Sequence, residues 1–166
     1  MSIAKYLGYG YDFQMDILEA SPMHDIGKIS IPDYVLLKPG KLDADEFEIM
    51  KTHTTKGYEI LGNSDSKIMK LGAEIALSHH ERYDGSGYPK GLKEKDIPLS
   101  GRICIVSDIF DALTNKRVYK PAYSIEESLD IMKNEMGIGK YFDPVIFDAF
   151  IKAQDEIVTV EARYKG

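Results

Sequence analysis

The sequence predicts an all-α fold in a single domain, on three observations. Period-two alternation of apolar and polar residues is nearly absent. Apolar side chains instead recur three and four residues apart through successive segments. Helix-start signals also recur: Asp43 with Glu46, Ser124 with Glu127, and Asp143 ahead of Pro144.

Taken in order, Ile3, Ala4 and Leu7 have helical spacing, and Gly8 and Gly10 would end the segment. So short a helix nucleates poorly by itself, so residues 1–10 are either a frayed start or, as the preferred reading, the last turns of a longer helix. Asp12–Ala20, carrying Phe13, Met15, Ile17, Leu18 and Ala20, reads as an amphipathic helix leading to His24-Asp25. Pro22 marks a kink or the first turn of a new helix. Ser30–Gly40 is a turn-rich connection bracketed by Pro32 and Pro39. Asp43 and Glu46 then open a helix with Phe47, Ile49, Met50 and His53 at helical spacing. Ser66–His80 is a helix with Ile68, Leu71, Ile75 and Ala76 turned inward, and Arg102–Thr114 is a mostly apolar, buried one. A capped helix runs from Ser124 to about Met136, and Val145–Ile157 completes the fold.

Composition narrows the function. The 166 residues are 43% hydrophobic and 29% charged, enough for a real core and unlike a disordered chain. With 21 basic and 27 acidic residues the net charge is −6, which argues against a protein that coats DNA. It leaves room for a small anion held by a local basic cluster. The one cysteine, Cys104, lies in the apolar run Ile103–Val106 and reads as a buried structural thiol. There is no signal peptide and no apolar run near twenty residues in this segment, so a cytoplasmic setting without membrane attachment is expected.

The chemistry gathers around histidine. The chain has four: His24 in a His-Asp pair, His53, and His79-His80 at the head of Ser78–Pro89, which reads SHHERYDGSGYP. Any one alone is more often an ordinary core or surface residue. All four lying beside acids or in tight motifs is not explained that way. A hydrolytic metal site needs neutral imidazoles and ionised carboxylates converging from several elements, and the candidates are His24, Asp25, His53, His79, His80 and Asp108. Successive helical residues diverge by about 100°, so His79 and His80 are expected to serve two adjacent ions, or one ion and its surroundings. Nitrogen and oxygen ligands without thiolate point to iron or manganese rather than structural zinc. Lys28, three residues beyond Asp25, falls on the same face if the helix persists. Arg117 and Lys120 form a positive patch suited to phosphate. Gly85 and Gly87 permit positive φ, and Pro89 fixes a turn. Glu81 and Asp84 read as groups that orient ligands or the loop.

His24-Asp25-x-Gly27-Lys28, His53, His79-His80-Glu81-x-x-Asp84-Gly85-x-Gly87-Tyr88-Pro89, Asp108-x-x-Asp111 and Arg117-x-Tyr119-Lys120 together resemble the HD-GYP domain, a branch of the HD metal-dependent phosphohydrolases. The likeness runs from about Ile3 to Phe150. It implies a helical bundle with two metal ions (three in some relatives), commonly iron or manganese. The implied reaction is hydrolysis of cyclic di-GMP to linear pGpG or GMP through a metal-bound hydroxide. By position, His24, Asp25, His53, His79, His80 and Asp108 correspond to metal ligands, with Asp25 bridging and Asp25 and Lys28 catalytic. Lys28, Arg117 and Lys120 correspond to groups that meet the substrate phosphates, and Tyr88 to a residue near the substrate or a neighbouring domain.

One departure stands out. The family carries an upstream helix with a further histidine and often a glutamate, and no histidine precedes His24 here. Residues 1–166 are therefore expected to be an N-terminally truncated HD-GYP-like domain with fewer ions. The exposed apolar surface would favour a homodimer, and the family's partners would be a diguanylate cyclase or an upstream receiver or sensor domain. The alternative to an active phosphodiesterase is a catalytically impaired module that binds nucleotide or a partner protein. A general HD hydrolase of other nucleotides is a weaker reading, because plain HD enzymes lack Asp84–Pro89.

Overall fold

A computed structural model describes residues 1–116 and 122–164, with side chains described through residue 159. Arg117 and Lys120 lie outside the described residues. Helices α1 (Ser2–Tyr6), α2 (Tyr11–Ala20), α3 (Asp33–Leu36), α4 (Ala44–Lys51), α5 (His53–Gly62) and α6 (Lys67–Ser78) make the first half. The second half holds α7 (Leu99–Thr114), α8 (Ile125–Asp130), α9 (Pro144–Lys152) and α10 (Gln154–Tyr164). No strand occurs among the described residues. The all-α expectation holds. No described helix is long and apolar enough to cross a membrane.

Helix α6 is the hub, packed against α5, α7 and α2. A small residue makes the α7 contact possible: a Cβ on Gly101 of α7 would lie 2.2 Å from Ser78 Oγ of α6. The core continues from α7 into α9, where Phe110 meets Phe150 edge-on at 5.2 Å between centroids and Phe147 meets Phe142 at 5.3 Å. Ile3 and Ala4 of α1 are buried in the same cluster, and Cys104 is buried as expected, which pushes its thiol pKa up to about 12.

The caps fall where the sequence places them. Asp43 with Glu46 and Ser124 with Glu127 each form a reciprocal capping box. Asp143 accepts from the Val145 backbone N–H at 2.8 Å. Its second oxygen takes a 2.6 Å bond from the Arg102 guanidinium of α7, which also donates through Nε to the Ile97 carbonyl. Asp143→Ala would uncap α9 and leave a half-buried guanidinium without its carboxylate. The expected loss is about 3 kcal/mol, read from urea denaturation; a loss below about 1 kcal/mol would mean that water replaces the pair.

Four elements differ from the sequence reading. Leu18 points outward, and α4 buries none of its residues, Phe47 included. The helix begun at Ser124 passes into a seven-residue π-helix over Ile131–Gly137, which the 3.6-residue spacing could not reveal. The last segment breaks at Ala153 and resumes as α10, which returns to α1 through a 2.6 Å Lys5–Glu156 ion pair.

Candidate metal centre

Short 3-10 turns rather than a continuous helix present the His24-Asp25 pair: Ser21–Met23 leads into it and Ile26–Ser30 follows it. His53 is the first residue of α5, and His79 and His80 follow the end of α6. Three backbone ends therefore meet in one place.

Each of three rings is fixed by a backbone carbonyl. His24 Nδ1–H donates to the Ser21 carbonyl at 2.8 Å and His53 Nδ1–H to that of Met50 at 2.8 Å. His79 Nδ1–H lies 3.0 Å from the Ala76 and 3.1 Å from the Ile75 carbonyl. A carbonyl oxygen can only accept, so these bonds put the neutral ring's proton on Nδ1 and turn the Nε2 lone pair inward. The His53 and His79 Nε2 atoms then face each other at 3.4 Å. Two lone pairs at that distance repel unless a cation lies between them.

Asp25 supplies the matching charge. Its Oδ1 is buried without a hydrogen-bond partner, 3.4 Å from His53 Nε2 and 3.8 Å from His79 Nε2. Its Oδ2 accepts from Lys28 Nζ at 2.5 Å and lies 3.4 Å from His24 Nε2, which in turn lies 3.7 Å from Asp108 Oδ1. Asp25, His53, His79 and His80 offer ligand atoms all within 4.8 Å of one another. An orphaned buried oxygen facing converging imidazole lone pairs is the donor set of a divalent cation. The residues fit a divalent metal ion.

Charge is distributed unevenly across the metal-free site. Burial works against a charge on His24, but bonds to Asp108 and Asp25 outweigh it and raise the pKa to about 10. Burial also opposes ionisation of Asp25 and Asp108. The bonds to His24, and for Asp25 also Lys28, nevertheless hold both below the usual carboxylate range. Burial first, then neighbouring histidine charge, lowers His79 to about 4 and His80 to about 3; burial lowers His53 as well.

These shifts have opposite consequences on the two sides of pH 6.5. Below it the unfolded chain protonates His53, His79 and His80 while the folded chain does not, so stability falls as pH drops towards 4. Above it the folded chain keeps the His24 proton that the unfolded chain releases, so stability falls again as pH rises towards 10. Thermal melts of the metal-free chain are expected to peak near pH 6.5, with the steeper limb on the acid side. A stability that rises steadily from pH 6.5 to 9 would contradict this.

His79 and His80 both reach the cluster from the turn that follows α6, with ring centroids 4.0 Å apart. The loop that follows is pinned beneath them. Glu81, fully buried, accepts from the Lys90 N–H at 2.7 Å and the Leu92 N–H at 2.9 Å, and Asp84 accepts from the Ser86 N–H at 2.8 Å. Gly85 has φ +85°, as expected; Gly87 is needed for space instead, since a Cβ there would lie 2.3 Å from the Arg82 nitrogen. The loop lays the Tyr88 ring on the His80 ring, centroids 4.7 Å apart and 27° from parallel. Burial, followed by the Asp25 charge, keeps the Tyr88 hydroxyl protonated above its usual range.

Of the six residues expected to hold metal, four form the cluster; His24 borders it through Asp25 Oδ2, and Asp108 borders His24. Lys28 reaches it. The sequence reading missed Phe47 and Lys51, which stand against Tyr88 from α4. Their signal was present in the four-residue spacing of Phe47 and Lys51 just ahead of His53.

The comparisons agree with this geometry. The family model for the HD domain matches residues 1–146. A cyclic di-GMP phosphodiesterase of Thermotoga maritima is 52% identical over 98% of this chain and 44% of its own length. The cyclic di-GMP phosphodiesterase response regulator RpfG of Xanthomonas campestris is 46% identical over 93% of this chain and 40% of its own. The 3'3'-cGAMP-specific phosphodiesterase 2 of Vibrio cholerae is 44% identical over 88% and 28%. The chain thus spans less than half the length of these curated relatives. With its His-Asp pair, its converging imidazoles and the Asp84–Pro89 loop laid against them, the chain belongs to the HD domain family, in its HD-GYP branch.

Proposed function

We propose that this domain is a metal-dependent phosphodiesterase that hydrolyses cyclic di-GMP to linear pGpG, GMP or both. The observation that carries the reading is the buried Asp25 Oδ1, unpartnered among inward-facing imidazole nitrogens. The names of the relatives supply the substrate class.

The two oxygens of Asp25 look in different directions, Oδ1 to His53 and His79 and Oδ2 to His24. That division supports two ion sites that share Asp25: His53, His79 and His80 would hold one ion, and His24 and Asp108 would hold the other. Nitrogen and oxygen donors without a thiolate favour iron or manganese. Bound there, divalent cations supply Lewis-acid activation of water and of phosphoryl oxygens.

The chain's own groups do the rest. His24 would have to give up its proton to hold an ion, so binding of the ion should weaken as pH falls. The Lys28 ammonium, partly exposed beside Asp25, meets a non-bridging phosphate oxygen and offsets charge that builds there. Arg117 and Lys120 are assigned to the remaining phosphate contacts, and Tyr88 closes the wall behind His80. The test is incubation of the chain with cyclic di-GMP and manganese(II) or iron(II), following products by chromatography. Linear dinucleotide, GMP or both should accumulate with metal and stay at background without it. Binding without product under either metal would favour the impaired module.

A further inference from the structure

We propose that Phe47 of α4 is the base-stacking residue of the substrate site, a platform for one purine of the bound cyclic dinucleotide. This rests on reading the site as a cyclic-dinucleotide phosphodiesterase. Helix α4 buries none of its residues, so the Phe47 ring is not a core anchor; it remains 44% exposed. Its position is nonetheless well fixed. The capping box and the Lys38–Glu46 ion pair secure the first turn of α4, and His53 follows its last residue by two.

Phe47 stands edge-on to Tyr88, with centroids 6.1 Å apart and planes at 80°. Tyr88 in turn lies on His80, a member of the metal cluster. Lys51 Nζ sits 5.0 Å from the Phe47 centroid and 5.6 Å from that of Tyr88, and is anchored to Glu48 at 2.6 Å. The ammonium braces both rings through cation–π attraction. An aromatic corner with a cation at its vertex thus stands one ring away from the cluster, with Tyr88 between Phe47 and His80. A nucleotide whose phosphate is held at the cluster has its base within reach of that corner, and an exposed aromatic face is what a base stacks on. Every base has a π-face, so Phe47 should add affinity without choosing between guanine and adenine.

The test uses non-hydrolysable phosphorothioate analogues of cyclic di-GMP and 3'3'-cGAMP, titrated calorimetrically into the manganese-loaded chain. Phe47→Ala and Phe47→Leu are expected to weaken both analogues about tenfold, and Phe47→Tyr to stay within about twofold of the parent. Manganese affinity, measured separately, should be unchanged in all three. The proposal is overturned if Phe47→Ala binds like the parent, if Phe47→Leu restores affinity, or if manganese affinity falls in step with nucleotide affinity. If the parent chain binds neither analogue, the phosphodiesterase reading itself fails, which is a distinct result.

Discussion

Replacing Gly27 with alanine is expected to destroy the site and most of the stability together. A Cβ at position 27 would lie 1.9 Å from the His53 carbonyl oxygen and 2.5 Å from the Gly57 nitrogen. Neither obstacle is a side chain that can swing away. Gly57 has no slack to give, since a Cβ on it would lie 2.9 Å from the Ala76 methyl. The turn after Asp25, α5 and α6 are therefore stacked backbone to backbone, and this contact brings Asp25 Oδ1 to His53 and His79. Overpacking usually costs about 1–3 kcal/mol, and more when the neighbour cannot move. The expected loss is more than about 3 kcal/mol in urea denaturation, with manganese affinity lower by at least about 100-fold. Gly10→Ala is the control: its φ is −64° and nothing lies within 4 Å of the added methyl. A Gly27→Ala chain as stable as that control would show that the close stacking is not required.

Local signals made much of this fold legible. Asp43, Ser124 and Asp143 cap helices because a side-chain oxygen and a free backbone N–H are near neighbours in sequence. The His-Asp pair and the glycine-rich loop were readable for the same reason. What escaped depends on contacts between distant segments. Gly27 read as one member of a motif; only its distance to His53 shows that it is there for want of space. Glu81 shows the reverse case: the expectation that it orients the loop holds, and the structure adds its partners, the Lys90 and Leu92 amides. Phe47 has helical spacing but faces outward, and its neighbours come from a loop some forty residues on.

Asp25→Asn should separate chemistry from folding, which Gly27→Ala cannot. The amide has nearly the shape of the carboxylate, so the turn around it needs no rearrangement. Lys28 and His24 each lose a partly exposed partner, and such pairs contribute about 0–1 kcal/mol each. Denaturation of the metal-free variant should therefore stay within about 2 kcal/mol of the parent. The loaded site behaves differently. Both Asp25 oxygens face ligand groups, and an amide brings no negative charge to offset the cations and puts a hydrogen-bearing nitrogen where one oxygen stood. Loss of a group that merely supports a ligand lowers metal affinity about 10–100-fold, so loss of the central carboxylate should exceed that. Manganese titration is expected to show a fall of at least about 100-fold, and cyclic di-GMP hydrolysis a fall of at least about 1,000-fold at fixed metal. Near-parent turnover by this variant would remove Asp25 from the chemistry and, with it, the assignment of the cluster as the place where phosphate is cleaved. A variant that unfolds instead would make Asp25 a structural residue, held in place by His24 and Lys28 rather than poised for cations.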